Sequence, residues 1–154
     1  VSAFTQKDVE EFYAIKSILE GYAARLACKR LTQKEIDRLQ AINARLAELC
    51  EHSDVKQFFK VHNDFHDLFI KAADNEKLRE MINLLVTRFQ RLRLMSLSQP
   101  GRMDISVQEH DKIIKAFRER DCEAAELLVR KNAEYGGRVL LDESACQPGE
   151  AMDL

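Results

Sequence analysis

The sequence predicts an all-α fold, an antiparallel bundle of six to seven helices, and three observations carry that expectation. Only five glycines and two prolines interrupt 154 residues, so little in the chain breaks a helix. Apolar residues recur at intervals of three and four along most of its length. Capping residues separate these periodic stretches with only short gaps, which makes consecutive helices antiparallel neighbours in one domain.

The first helix opens with a cap-like Thr5 to Asp8 pair and carries Val9, Phe12, Ile15, Leu19, Tyr22, Ala23 and Leu26 at helical spacing. TQKE at 32–35 is a capping box, Thr32 accepting from the backbone and Glu35 returning the bond; Ile36, Leu39, Ile42, Leu46 and Leu49 then form the second helix's apolar face. Ser53 or Asp54 caps a third helix running to about Ala73, and His52 sits at the end of the second as a surface or capping residue. DN at 74–75 precedes a fourth helix from about Glu76 to Leu97. SQPGRMD at 98–104 is the strong interior turn cluster; Asp104 then caps a fifth helix to about Arg120, and Asp121 a sixth to about Leu140. The domain is expected over 1–142, and 143–154, which lacks periodicity, as a frayed tail.

A net charge of -2 supplies no basic face for nucleic acid. Cys28, Cys50, Cys122 and Cys146 stand far apart with no CxxC pair, which argues against a disulfide framework or a cysteine zinc site and for a reducing, cytoplasmic compartment. They read as small buried hydrophobes plus one tail thiol. No apolar run approaches the about 20 residues that span a bilayer. The opening VSAFTQKDVEEF is too polar for a signal peptide and lacks an initiator Met, so a soluble fragment of a longer protein, with no membrane partner, is expected.

Polar residues stand where these faces point inward. On the third helix His62 and His66 share a stripe with Phe58, Phe65 and Phe69; on the fifth, His110 shares one with Val107, Ile113, Ile114 and Phe117. On the sixth, Asn132 interrupts Ala125, Leu128, Tyr135 and Val139. Each buried polar group costs about 1–3 kcal/mol unless paired, and a divalent metal, zinc or nickel, would pair all four. His62, His66 and His110 supply three imidazoles, Asn132 offers a carbonyl oxygen or orients a water, and an open position remains for an anion. The plain alternative is that each histidine is a hydrogen-bonded core residue.

In order and spacing, DVEEFYAIKSILEGYAARLA at 8–27, FHDLFIKAADNEKL at 65–78, RLRLMSLSQPGR at 91–102, EHDKIIKAFRERD at 109–121 and AAELLVRKN at 124–132 resemble one family. It is the C-terminal effector-binding and dimerisation (FCD) domain of FadR-subfamily GntR transcription regulators, and the resemblance covers 5 to about 140. It implies a homodimer that senses a small organic acid and controls DNA binding through an N-terminal winged helix-turn-helix absent from this chain. Many members hold a metal with an Asp and a His four apart on one helix and one His on each of two later helices, the effector carboxylate completing the shell. His66 and His110 match two of those positions; His62 stands where the family has Asp, and Asn132 where it has the last His. The double change implies either a rearranged three-nitrogen site or a metal-free pocket that binds the effector directly.

Arg88, Arg91, Arg93 and Lys16 are the candidates for the effector's counter-charge, since Arg presents a carboxylate-shaped fork; the default for each is a surface or dimer-face position. No catalytic residue is expected. HNDFH lacks the Glu that a zincin needs after its first His, Asn63 taking that place. HD at 66–67 and 110–111 is shared with helical phosphohydrolases, but Asp67 and Asp111 lie about 100° around their helices from the histidines and should face partly outward. A metal-free dimerisation scaffold is the third class.

Overall fold

Capping chemistry sets most of the helix starts as the sequence implies. In the computed structural model, which describes residues 4–144, the helices are α1 Gln6–Arg30, α2 Gln33–Glu51, α3 Val55–Ala72, α4 Glu76–Arg88, α5 Gln90–Ser98, α6 Arg102–Arg118 and α7 Cys122–Ser144. The boundary expected between domain and tail at 142/143 falls in α7, and Cys146 lies outside the described residues. Thr5 with Asp8 and Thr32 with Glu35 form complete capping boxes, and Asp54 rather than Ser53 caps α3 by accepting from the Gln57 N–H. Ser53 takes the left-handed turn before it, at φ 52°. Asp121 accepts from the Ala124 N–H and starts α7.

Two expectations about boundaries are corrected. The fourth predicted helix is two, broken at Phe89, whose backbone leaves helical geometry at φ -106° and ψ 25°. No Pro or Gly causes the break; the Phe89 ring stacks on Phe12 at 4.7 Å and meets Phe4 at 5.5 Å, so a tertiary contact outweighs local helix propensity. The following helix starts at Arg102, not at an Asp104 cap. Gly101, at φ 76°, makes the turn that a side chain would strain, and Asp104 sits in the first helical turn.

The expected inward face of α1 is also rotated. Ile15, Ile18 and Tyr22 are 48%, 56% and 47% exposed, whereas Lys16, Ser17 and Glu20 are buried. Apolar residues surround this helix on both sides, so periodicity did not distinguish the core face. α1 packs along α7, and the approach is close: a Cβ on Gly137 would lie 2.9 Å from Tyr13 Cβ and Cγ. The main core gathers α1, α2, α3, α4, α6 and α7 around Phe65, Phe69, Ile113 and Phe117, all at most 2% exposed with Ala24 and Leu39. Among the described residues no helix is long and apolar enough to cross a membrane.

Candidate functional site

His62, His66 and His110 are buried, and the structure brings them together. One ring nitrogen from each lies within 4.8 Å of the others. Helical spacing puts the first two one turn apart on α3, and α2·α3 and α2·α6 packing brings α6 beside them. Ring centroids are 4.5 Å apart for His62–His66, 5.1 Å for His62–His110 and 5.4 Å for His66–His110. Phe65 stacks on His110 at 3.9 Å, closing the apolar side.

The cluster is short of partners. Both ring nitrogens of His62, both of His66 and Nε2 of His110 are buried without a hydrogen bond. Burial first, and the neighbouring imidazoles and cations next, push His62 and His110 well below the ordinary histidine pKa. His66 is lowered too, again mainly by burial, although Glu20 opposes the shift. Each neutral ring presents one lone pair, and a divalent ion would satisfy three of the five buried nitrogens left without partners, one from each histidine. The donor set therefore fits a metal.

Two neighbours escaped sequence reading. Glu20 of α1 is 1% exposed, with Oε2 2.8 Å from Lys16 Nζ and 3.5 Å from His66 Nδ1. Burial would raise the Glu20 carboxyl, but Lys16 and His66 outweigh it and hold its pKa well below the usual range. Asn43 of α2 is also 1% exposed and meets His110 Nδ1 at 3.1 Å. A lone Glu and a lone Asn on amphipathic helices carried no sequence signal, because the structure alone shows what faces them.

Beside His62 is a cavity of about 20 Å3, walled by Lys16, Arg93, Arg102 and Asn132 among others. It holds about one water-sized group. Lys16 and Arg93 are buried here, away from the surface position that charged residues take by default. Arg93 donates to Asn63 Oδ1 at 2.6 Å and lies over the Phe59 ring, and among the described residues no carboxylate is bonded to it. Arg88 and Arg91 are exposed and do not line this cavity; Arg88 lies over the Phe89 ring.

Arg102 was not among the candidates. It is 4% exposed, ion-paired to Glu109 at 3.4 Å, and donates to the Asn132 carbonyl at 3.3 Å. Its place after the turn cluster gave no sign of burial. Asn132 is buried as its stripe implied, but its side-chain amide donates to Glu109 at 3.0 Å. A second cleft, of about 170 Å3, also borders Arg93 and is lined by Glu20, His66, Asp67 and Thr87 among others. Asp67 and Asp111 are exposed and do not join the histidine cluster.

The FCD domain family model matches residues 11–134. A probable D-xylose utilization operon transcriptional repressor of Paenarthrobacter nicotinovorans is 29% identical over 126 residues, 82% of this chain and 55% of that protein. The HTH-type transcriptional repressor RspR of Escherichia coli K12 is 24% identical over 126 residues, with the same two coverages. The chain thus spans about half the length of these relatives. In fold it matches E. coli McbR/YncC at a TM-score of 0.84 and 21% identity, covering 93% of this chain and 72% of that one. Streptococcus agalactiae GntR matches at 0.69 and 18% identity, covering 85% and 58%.

Proposed function

This chain belongs to the FCD domain family, and from that premise we propose that it is the ligand-sensing and dimerisation domain of a bacterial FadR-subfamily GntR transcription regulator. Its effector is a small organic acid, and it acts on DNA through a winged helix-turn-helix N-terminal to this domain. The names of the relatives, all of them transcription regulators, support the regulatory role. A cytoplasmic location goes with it.

The observation that carries the sensing role is the buried three-histidine cluster with orphaned nitrogens next to a cavity walled by three cationic side chains. His62, His66 and His110 would hold a divalent metal, zinc or nickel, which supplies an electrophilic position for a carboxylate oxygen. Arg93 supplies the counter-charge with the fewest competing bonds, while Lys16 and Arg102 are partly committed to Glu20 and Glu109. Asn132 flanks the pocket as a polar wall, its amide nitrogen engaged by Glu109. A cavity of about 20 Å3 is too small for a whole organic acid, so an acid that enters it would move the helices that wall it. That movement is the signal: it biases the dimer between DNA-competent and incompetent forms.

The homodimer would use the exposed apolar residues Ile15, Ile18 and Tyr22 of α1 and Met81 and Leu84 of α4, the last two 58% and 75% exposed. Ile18→Glu or Leu84→Glu should yield a monomer in light scattering; a dimer that persists in both excludes this face.

The first experiment is elemental mass spectrometry on untagged protein purified without chelators, with His66→Ala beside it. Near-stoichiometric metal that disappears in the variant supports the metal-dependent reading. Metal-free wild type whose melting temperature ignores added zinc and nickel overturns it. For the regulatory role, an organic-acid titration that leaves operator affinity of the full-length protein unchanged is the overturning result.

A further inference from the structure

The three histidines are not equivalent in what surrounds them. Asn43 Nδ2 donates to the Val107 carbonyl at 3.0 Å and to Asp111 Oδ1 at 2.8 Å. A backbone carbonyl only accepts, so the nitrogen side of the amide is fixed there and Oδ1 is the atom 3.1 Å from His110 Nδ1. Because that oxygen only accepts, the proton of a neutral His110 must sit on Nδ1. The lone pair is then on Nε2, which is buried and has no hydrogen-bond partner.

His66 has a parallel arrangement on another helix. Glu20 Oε2, an acceptor, stands 3.5 Å from His66 Nδ1, and Lys16 at 2.8 Å keeps that carboxylate in place. No hydrogen bond forms at that distance, but the carboxylate's charge favours the proton on Nδ1, with Nε2 left as the lone-pair donor. His62 has neither kind of neighbour: among the described residues no hydrogen bond and no carboxylate ion pair reaches its nitrogens, and its ring borders the small cavity.

Resting on the metal reading above, we propose that Asn43 and Glu20 are positioning residues that preset His110 and His66 as Nε2 donors to a divalent ion. His62, to whose nitrogens no described side chain hydrogen-bonds, is the ligand whose tautomer is set only on binding. The physical basis is general: an acceptor on the far nitrogen of a ligating imidazole selects its tautomer, holds its plane and raises its basicity. The metal site is thereby built from four helices, α1 and α2 contributing only through the histidines they hold.

The test uses tautomer-resolved 1H–15N spectra of histidine-labelled, chelator-treated protein, followed by zinc competition against a chelator. Wild type should show His110 and His66 as Nδ1–H tautomers. Asn43→Leu, of similar volume and without an acceptor, should release the His110 tautomer and weaken zinc binding about 10- to 100-fold. Glu20→Leu combined with Lys16→Met, which removes the acceptor without stranding the lysine, should do the same at His66. The wild-type spectrum decides the matter even if a variant does not fold: an Nε2–H tautomer at His110 overturns the role of Asn43. Zinc binding unchanged in a folded Asn43→Leu also overturns it while leaving the metal reading intact. Wild type that takes up no zinc overturns both.

Discussion

Lys16 Nζ and Glu20 Oε2, one turn apart on α1, meet at 2.8 Å with side chains only 5% and 2% exposed. Surface ion pairs at this spacing contribute little, but a buried pair is different: removing one partner leaves a charge with neither water nor counter-ion. Lys16→Met should lower unfolding stability by about 3–5 kcal/mol, whereas Lys16→Met with Glu20→Leu should cost less than the single change. Urea unfolding of chelator-treated protein measures these two and the Glu20→Leu single. A double variant as unstable as the sum of the two singles would show that the partners do not interact.

Arg93 is a buried cation with a neutral side-chain partner, Asn63, and an aromatic neighbour, Phe59. Among the described residues no carboxylate pairs with it, and the proposed effector would be the anion that does. Arg93→Met should change the stability of the ligand-free protein by less than about 1 kcal/mol. The same variant should weaken binding of a responsive carboxylate at least about tenfold, the loss of one charge-assisted fork. Calorimetric titration compares the two proteins; equal affinities would remove Arg93 from the site.

Tyr13, 5% exposed, has its hydroxyl pKa pushed up to about 12 by burial, with smaller opposing effects from Ser96 and nearby arginines. The folded state therefore keeps a proton that the unfolded chain releases near pH 10. Folding stability is fully present below pH 10 and declines as the pH rises toward 12, by about 2–3 kcal/mol in all. Denaturant midpoints across that window should fall more steeply in wild type than in Tyr13→Phe. Parallel slopes would mean that another group governs alkaline unfolding.

Gly137 lets α7 approach Tyr13 so closely that a Cβ there would lie 2.9 Å from the Tyr13 Cβ and Cγ. In a helix interior Gly→Ala ordinarily gains about 1 kcal/mol. Here the atoms in the way are close to the α1 backbone and cannot swing aside. Gly137→Ala should thus be net destabilising, by about 1–2 kcal/mol, in thermal or urea unfolding. A stabilised variant would show that α1 and α7 have room to separate.

Much of this architecture could be read from local pattern. Capping boxes at Thr5 and Thr32, the cap at Asp121 and the stripe of Phe58, His62, Phe65, His66 and Phe69 are all written within a few turns of chain, and the structure places them accordingly. Periodicity predicted that three imidazoles face inward because inward on α3 and α6 is set by the strong contrast between the two faces of each helix.

What pattern did not settle depends on contacts between distant segments. Phe89 breaks a helix because its ring docks on Phe12, 77 positions earlier by their numbering. Lys16 and Glu20 are buried while Ile15 and Ile18 are exposed, since α1 is apolar on more than one face and its orientation follows from packing on α7. The same holds for Asn43 and Glu20. A sequence determines which side chains share a helical face; which face looks toward an imidazole on another helix is decided only when the helices pack, because hydrogen bonds and ion pairs act over a few ångströms of space rather than along the chain.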